Sequence, residues 1–315
     1  ESRDEKKRLV SAKSIVNASI PAKGTLAEIF FFKQRTAYDI SNLNVRLFPK
    51  GAPWKTFDEE GNCEDKINKI PALLLAAHNE KGEVTGVQRI YLDEKTGGKN
   101  TFMDTVKLSK GKIEGSAGIL QKGLLNGQVY LAEGIETGAS IAMANPKATV
   151  LVSFGISNLK NLSELVKRFK PEEVIIAADN DLKAQKNTFD ETKKAQEILA
   201  QSGLHVTIKM PHSLPNKQKT DWNDVHREKG LHGLKNELHF SEAIKAVSQR
   251  NYAEQKAGLH LIKPQDKPVK VSFNPMNDMK ITTHPDRNKP DFKHHEAQEI
   301  KTQPLIQRRD LEMEI

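Results

Sequence analysis

The sequence predicts an α/β protein whose main domain is a parallel sheet with helices on both faces. Two observations support this fold class. Between residues 127 and 240, short apolar segments such as 129–132 and 174–178 alternate with helix-like segments. Continuous apolar strands separated by helices are typical of a parallel sheet that is buried on both faces. Before this domain, strand-like segments follow one another directly, which predicts an α+β subdomain over residues 1–120.

The α+β subdomain is expected to begin with helices and to continue as strands. The apolar spacing indicates a helix over 14–17, leading to Pro21, and a second helix over 25–34. Gly82 and the Thr-Gly-Gly turn at 96–98 separate later strands. The strands of this subdomain are predicted at 45–48, 72–78, 84–92 and 101–108.

The domain at 127–240 is predicted to contain four strands and three helices. The helices cover 137–144, 159–169 and 189–200, and Gly203 is expected to cap the last of them. Residues 241–315 lose this periodicity and contain six of the fourteen prolines, which predicts a disordered tail or linker. The four strands are predicted at 129–132, 149–154, 174–178 and 204–210.

Composition narrows the class of protein further. The single cysteine, Cys63, excludes an internal disulfide framework and a cysteine-based zinc site, and it favours a reducing compartment such as the cytoplasm. No apolar run reaches the roughly 18 residues that would cross a bilayer, so no membrane partner is expected. We expect no signal peptide, and because the chain begins with Glu1 rather than Met we expect a fragment or a processed product. The net charge of +8 fits either a polyanion partner or a solvated basic surface.

Acidic residues follow three of the four predicted strands of the main domain. In parallel sheets the carboxyl ends of the strands meet at one edge, where ligands bind. Each acid taken singly also fits a helix cap or a turn. Together they predict a site for Mg²⁺, with Mn²⁺ as the alternative ion, because hard cations prefer carboxylate oxygens. The predicted metal ligands are Glu133, Asp179, Asp181, Asp221 and Asp224.

The run Leu-Ala-Glu-Gly-Ile-Glu-Thr at 131–137, followed by Asp-Asn-Asp at 179–181, resembles the Toprim signature. Toprim domains occur in DnaG-type and phage primases, in type IA and type II topoisomerases and in some nucleases. The resemblance implies that Glu133 is the catalytic glutamate, acting as general acid/base or as a metal ligand. It implies that Asp179 and Asp181 hold Mg²⁺, and that Asp221 and Asp224 correspond to an additional acidic site of primase Toprims. Glu136 is a weaker match, since the family places an acid one position later, at Thr137.

The segment before this domain also resembles primases. Residues 81–89 are similar to the hairpin that precedes primase Toprim domains, and Arg89 and Lys107 match its basic positions. The whole segment is still more similar to plasmid-borne primases and to conjugative-transfer proteins. The resemblance implies that Arg89, Lys107 and the loop with Lys217 and Lys219 contact nucleic-acid or nucleotide phosphates. Arg89 and Lys107 also fit ordinary exposed strand residues.

Other catalytic motifs do not account for this chain. The run Gly-Gly-Lys-Asn-Thr at 97–101 lacks the glycine spacing of a phosphate-binding P-loop. No tyrosine lies in a context that suggests topoisomerase chemistry. A primase normally carries a zinc-binding module, for which the single cysteine of this sequence is not enough.

The resemblance to primases implies template-directed nucleotidyl transfer in plasmid replication or conjugative transfer. The expected substrates are a single-stranded DNA template and nucleoside triphosphates, and the expected protein partners are helicase or relaxase components. Two alternatives stay open. One is a Toprim nuclease, and the other is a non-catalytic module that binds nucleic acid or docks within a larger transfer protein.

Overall fold

The computed structural model describes residues 2–35, 39–181, 185–240 and 244–245. The predicted tail at 241–315 lies outside the described residues, apart from positions 244 and 245. Within the described residues, no helix is both long and apolar enough to cross a membrane.

The chain begins with two helices that pack on a sheet. Helix α1 (Arg3–Asn17) starts at a capping box, in which the Ser2 hydroxyl accepts a hydrogen bond from the backbone N–H of Glu5. A two-residue strand, β1 (Ile20–Pro21), leads to helix α2 (Leu26–Arg35). The sequence prediction covered only the last turn of α1, because the charged residues before it hide the apolar spacing.

Seven further strands complete the first part of the fold. The predicted strand at 101–108 is wrong over most of its length, because residues 101–106 form a loop and the strand begins at Lys107. Two short strands form a separate antiparallel hairpin that the sequence did not predict. The strands are β2 (Arg46–Phe48), β3 (Pro53–Phe57), β4 (Cys63–Ile67), β5 (Ala72–His78), β6 (Val84–Tyr91), β7 (Lys107–Gly111) and β8 (Ala117–Gln121).

The second part alternates strands with helices, as predicted. The predicted helix at 159–169 divides into a short 3-10 helix (Ile156–Asn161) and helix α4. Three two-residue strands and a long last helix were not predicted. The elements are β9 (Gln128–Ala132), α3 (Ile135–Ala144), β10 (Thr149–Val152), α4 (Ser163–Lys167), β11 (Glu173–Ala177), β12 (Asn180–Asp181), α5 (Gln185–Gln201), β13 (Val206–Lys209), β14 (Lys219–Thr220), α6 (Trp222–Phe240) and β15 (Ile244–Lys245).

One large sheet runs through both parts of the chain. Its strand order is β1-β2-β5-β8-β10-β9-β11-β13-β15, and β6 and β7 branch from β5. Neighbours within the group β10-β9-β11-β13 are parallel, which confirms the predicted fold class. Strand β8 pairs antiparallel with both β5 and β10, so that it joins the two predicted segments through backbone hydrogen bonds.

Helices cover both faces of the parallel strands. On one face, α3 and α6 pack through Ile135 and Trp222, both fully buried. On the other face, α4 and α5 contribute Leu165 and Leu199 to a second apolar cluster. Burial of each such side chain stabilises the fold by about 1.5–3 kcal/mol. The carboxyl ends of β9 and β11 are thereby held between two rigid helical layers.

Candidate active site

Two of the acidic segments leave the sheet side by side. Strands β9 and β11 are parallel neighbours, and Ala132 is the register partner of Ala177. Glu133 follows directly after β9, and Asp179 comes two residues after the end of β11. The register therefore brings Glu133 and Asp179 to the same edge of the sheet, as the sequence predicted.

A small two-stranded sheet brings the third acidic segment to this edge. Strand β12 pairs antiparallel with β14, so that Asn180 faces Thr220 and Asp181 faces Lys219. The Asn180 side chain donates a hydrogen bond of 2.9 Å to the carbonyl of Pro211, which holds the connecting loop. Because each strand has only two residues, no periodicity in the sequence could have revealed this pairing.

Asp179 is the most buried of the five predicted metal ligands. The residue is 9% exposed, and its Oδ2 lies 3.0 Å from Nζ of Lys219. Its Oδ1 is buried and has no hydrogen-bond partner among the described residues. Burial raises the pKa of Asp179 more than Lys219 lowers it, and the charges of Glu133 and Asp224 raise this pKa further. The site therefore holds a carboxylate whose negative charge is only partly compensated.

Lys219 is part of this acidic edge and does not belong to a free basic loop. Burial lowers the pKa of Lys219, but its contact with Asp179 and the charges of Glu133 and Asp181 outweigh burial and raise it. Lys217 likewise contacts a carboxylate, since its Nζ lies 2.6 Å from Oδ1 of Asp224. Two of the three lysines that were predicted to contact nucleic acid, Lys217 and Lys219, are thus paired with predicted metal ligands.

Asp221 and Asp224 form the N-terminal capping box of α6. Oδ1 of Asp221 accepts a hydrogen bond of 2.7 Å from the N–H of Asp224. Oδ2 of Asp224 accepts one of 3.2 Å from the N–H of Asp221. Burial raises the pKa of Asp221 to about 6, although the N–H of Asp224 lowers it, and the nearby carboxylates of Asp179, Asp224 and Glu136 add to the rise. Both oxygens of Asp224 are engaged, by Asp221 and by Lys217.

Helix α6 is anchored directly behind this cap. Trp222 is fully buried, and the Asn223 side chain donates a hydrogen bond of 3.0 Å to the hydroxyl of Ser140 on α3. Nδ1 of His226 lies 3.2 Å from the same hydroxyl. The start of α6 is therefore fixed against α3, the helix that follows Glu133. The Trp-Asn pair after Asp221 was the one sequence signal that could have indicated this anchor.

Glu136 joins the site through two lysines. It lies in the first turn of α3 and is 7% exposed. Its Oε1 is 2.6 Å from Nζ of Lys99, and its Oε2 is 3.5 Å from Nζ of Lys107. A Cβ on Gly134 would lie 4.0 Å from Nζ of Lys107, so this ammonium sits beside the turn that carries Glu133. The sequence prediction included Lys107 but missed Lys99, because Lys99 was weighed only as part of a P-loop.

Arg89 lies away from these residues. On the paired strands β6 and β7, Arg89 faces Leu108 and Ile90 faces Lys107, so Arg89 and Lys107 project from opposite faces of the sheet. The Arg89 guanidinium is 5.6 Å from the ring centroid of Trp54 and 5.5 Å from that of Tyr91. Burial lowers the pKa of Arg89. The structure does not bring Arg89 to the acidic edge.

The residues at this edge fit a divalent cation of the Mg²⁺ type. Within the described ranges, no three Asp, Glu, His or Cys side chains converge as a ready-made metal site. Mg²⁺ needs only one or two protein carboxylates, because it keeps several of its waters. Oδ1 of Asp179 is buried and unpartnered among the described residues, and burial raises the pKa of Asp179 and of Asp221, so a bound cation would stabilise the charged form of both carboxylates. Asp224 fits least well, since both of its oxygens are engaged.

Two protein-family models match different parts of the chain. Residues 128–232 match the family model described as Toprim domain, and they form such a domain. Residues 6–120 match a model described only as a domain of unknown function, DUF7146. Among curated proteins, no relative matches the chain.

Several solved primase structures are similar to this chain. A DNA primase domain from Pseudomonas aeruginosa matches with 13% identity and a TM-score of 0.43 over 65% of this chain and 60% of that one. The Aquifex aeolicus primase matches with 16% identity and a TM-score of 0.44 over 81% of this chain and 60% of that one. The RNA polymerase domain of Mycobacterium tuberculosis primase matches with 13% identity and a TM-score of 0.44 over 82% and 86%. The chain thus spans 60% of the length of the first two.

Proposed function

We propose that the acidic edge of the Toprim domain is a Mg²⁺-dependent active site for primase-type nucleotidyl transfer. The acidic cluster consists of Glu133, Asp179, Asp181, Asp221 and Asp224. The observation that carries the proposal is Asp179, a buried carboxylate with one oxygen on Lys219 and the other unpartnered among the described residues. An uncompensated buried charge costs free energy, and a bound cation would recover it.

Different residues at this edge would bind the metal, accept the proton and position Asp179. Asp179, Asp181, Glu133 and Asp221 would hold the metal, and Mn²⁺ would substitute for Mg²⁺. Bound metal supplies positive charge that stabilises the phosphate oxygens and favours ionisation of an attacking hydroxyl. Glu133, which is only partly buried, would accept the proton of the 3′-hydroxyl as general base. Lys219 would hold Asp179 in place through their 3.0 Å contact.

The substrates would be a single-stranded DNA template and nucleoside triphosphates. Lys107 offers an ammonium group beside the turn of Glu133, and Lys99 contacts the same Glu136 carboxylate, so both would neutralise phosphate oxygens of the template or of the incoming triphosphate. Lys217 and Lys219 are paired with carboxylates, so their contacts to nucleic acid would form only after those pairs rearrange. The plasmid and conjugative setting, and helicase or relaxase partners, derive from the sequence resemblance alone and stay predictions.

A priming assay on a single-stranded template tests this function. Asp179→Asn and Glu133→Gln remove a charge with little change in shape, and we expect each to lower the rate of primer synthesis by about 100-fold or more. Asp65→Asn is the matched control, because it neutralises an exposed carboxylate on β4 and should leave the rate unchanged. Synthesis at the wild-type rate by both site variants would refute the proposal.

The same protein samples separate the two alternatives. Labelled single-stranded DNA is incubated with Mg²⁺ and without nucleotides. Shortening of the strand that Asp179→Asn abolishes would assign a nuclease to the acidic cluster. Binding of DNA that is insensitive to chelator, with neither synthesis nor cleavage, would assign a non-catalytic binding module.

A further inference from the structure

Tyr91 holds both ends of a loop that lies beside the acidic cluster. The loop consists of residues 100–106. The N–H of Asn100 donates a hydrogen bond of 2.9 Å to the carbonyl of Tyr91, and the N–H of Tyr91 donates one of 3.0 Å to the carbonyl of Val106. The side chain of Asn100, a buried residue, accepts a hydrogen bond of 2.9 Å from the N–H of Phe102. The base of the loop and the backbone of Phe102 are therefore fixed.

Phe102 projects from this loop into solvent. Its exposure of 89% is the largest of any large apolar side chain among the described residues, and Leu125 follows with 67%. The next residue in the loop, Met103, packs against the apolar cluster beneath α1. The loop therefore reaches the core through one side chain and presents the adjacent aromatic ring outward. An exposed phenylalanine ring leaves apolar surface in water, which a stacked ligand would cover.

Two cations flank the loop. Lys99 comes immediately before it and Lys107 immediately after it, and both ammonium groups contact Glu136. The lysine side chains are 34% and 43% exposed. An ammonium has three hydrogen-bond donors, so contact with Glu136 leaves each lysine able to bind a further anion. A Cβ on Gly134 would lie 4.0 Å from Nζ of Lys107, so this lysine lies next to Glu133 of the acidic cluster.

We infer that this loop binds single-stranded nucleic acid, with an unpaired base stacked on Phe102 and its flanking phosphates on Lys99 and Lys107. An exposed aromatic ring on a loop with a lysine at each end suits a single strand, since such binding requires unstacked bases for the ring and phosphates for the cations. Duplex DNA does not meet this requirement, since its bases are already stacked. The inference rests on the proposed function only in that the bound strand would lead to the acidic cluster.

The test is the affinity for a fluorescein-labelled oligothymidylate, measured by anisotropy in EDTA and without nucleotides. We expect Phe102→Ala to weaken binding by roughly 5- to 150-fold, the equivalent of about 1–3 kcal/mol. Phe102→Tyr keeps the ring and should bind like the wild type. Leu124→Ala is the matched control, because Leu124 is an apolar side chain with 61% exposure outside this loop. Equal affinities of Phe102→Ala and Leu124→Ala would overturn the inference.

The salt dependence of oligonucleotide affinity tests the role of the lysines. The binding of a nucleoside triphosphate tests whether the base on Phe102 belongs to a strand or to a free nucleotide. Lys99→Gln should reduce the slope of log affinity against log salt by about 0.7, as expected for one phosphate contact to a single strand. An unchanged slope would remove Lys99 from the contact. If Phe102→Ala weakens the binding of a nucleoside triphosphate but not of the oligonucleotide, the strand is the wrong ligand. Because these binding assays contain no metal, a negative result in them does not depend on the outcome of the Asp179→Asn priming assay.

Discussion

Asp179 and Glu136 are two buried carboxylates at one edge of the same sheet, and their surroundings differ. Glu136 has a lysine ammonium on each of its two oxygens. Asp179 has one lysine on one oxygen, and its other oxygen has no partner among the described residues. Burial and neighbouring carboxylates raise the pKa of Asp179. The charge of Glu136 is therefore already compensated by the two lysines, which Glu136 holds in place. Asp179 would gain a positive charge by binding a cation.

Mg²⁺ should stabilise the protein through Asp179 and not through Glu136. At about 100 times its Kd, a ligand that binds only the folded state adds about 2.7 kcal/mol to the free energy of unfolding. We expect a Tm increase of this origin in the wild type and its loss in Asp179→Asn. Thermal unfolding with and without MgCl₂ measures it. If Glu136→Gln lost the Tm increase and Asp179→Asn kept it, the cation would bind through Glu136 and not through Asp179.

Glu136→Gln should reduce the free energy of unfolding by about 1–3 kcal/mol, because it leaves two lysines without their shared carboxylate. Chemical denaturation in EDTA measures this loss. The control Asp65→Asn breaks an exposed pair with Lys55, where we expect little or no change in the free energy of unfolding. Equal stabilities of these two variants would show that Glu136 does not organise the lysines.

Asp221→Asn should stabilise the metal-free protein by roughly 1–2 kcal/mol at neutral pH. The folded pKa of about 6 lies above the ordinary value of 3.8, so the folded state binds more protons between these pH values. Wild-type stability therefore falls as the pH rises through this window. The variant should show no advantage below about pH 4 and its full advantage above about pH 6. Asparagine is also an effective helix cap, so the start of α6 is preserved.

Denaturation curves at several pH values in EDTA give this difference directly. The curve of Asp65→Asn should run parallel to that of the wild type. A constant difference between Asp221→Asn and the wild type across the whole pH range would mean that burial of Asp221 imposes no charge penalty.

Much of the second part of the fold could be predicted, because its strands are apolar on both faces and stand out from the helices. Strand β5, at 72–78 in the first part, was predicted with its bounds for the same reason. Strands β12 and β14 were missed, since two residues carry no period. Residues 101–106 of the loop were predicted as part of a strand at 101–108, because their residue types do not reveal that Tyr91 holds both ends of the loop.

The sequence by itself determined where the acids lie along the chain: Glu133 after one apolar strand and Asp179 after another. In a parallel sheet this order is enough to bring them to one edge. Only the tertiary structure decided which charges meet. Lys107 reaches Glu136 while Arg89 points to the opposite face, and the small β12–β14 pairing places Lys219 on Asp179. These contacts depend on strand register and on which strands are neighbours, and a one-residue shift in register would move every side chain to the other face.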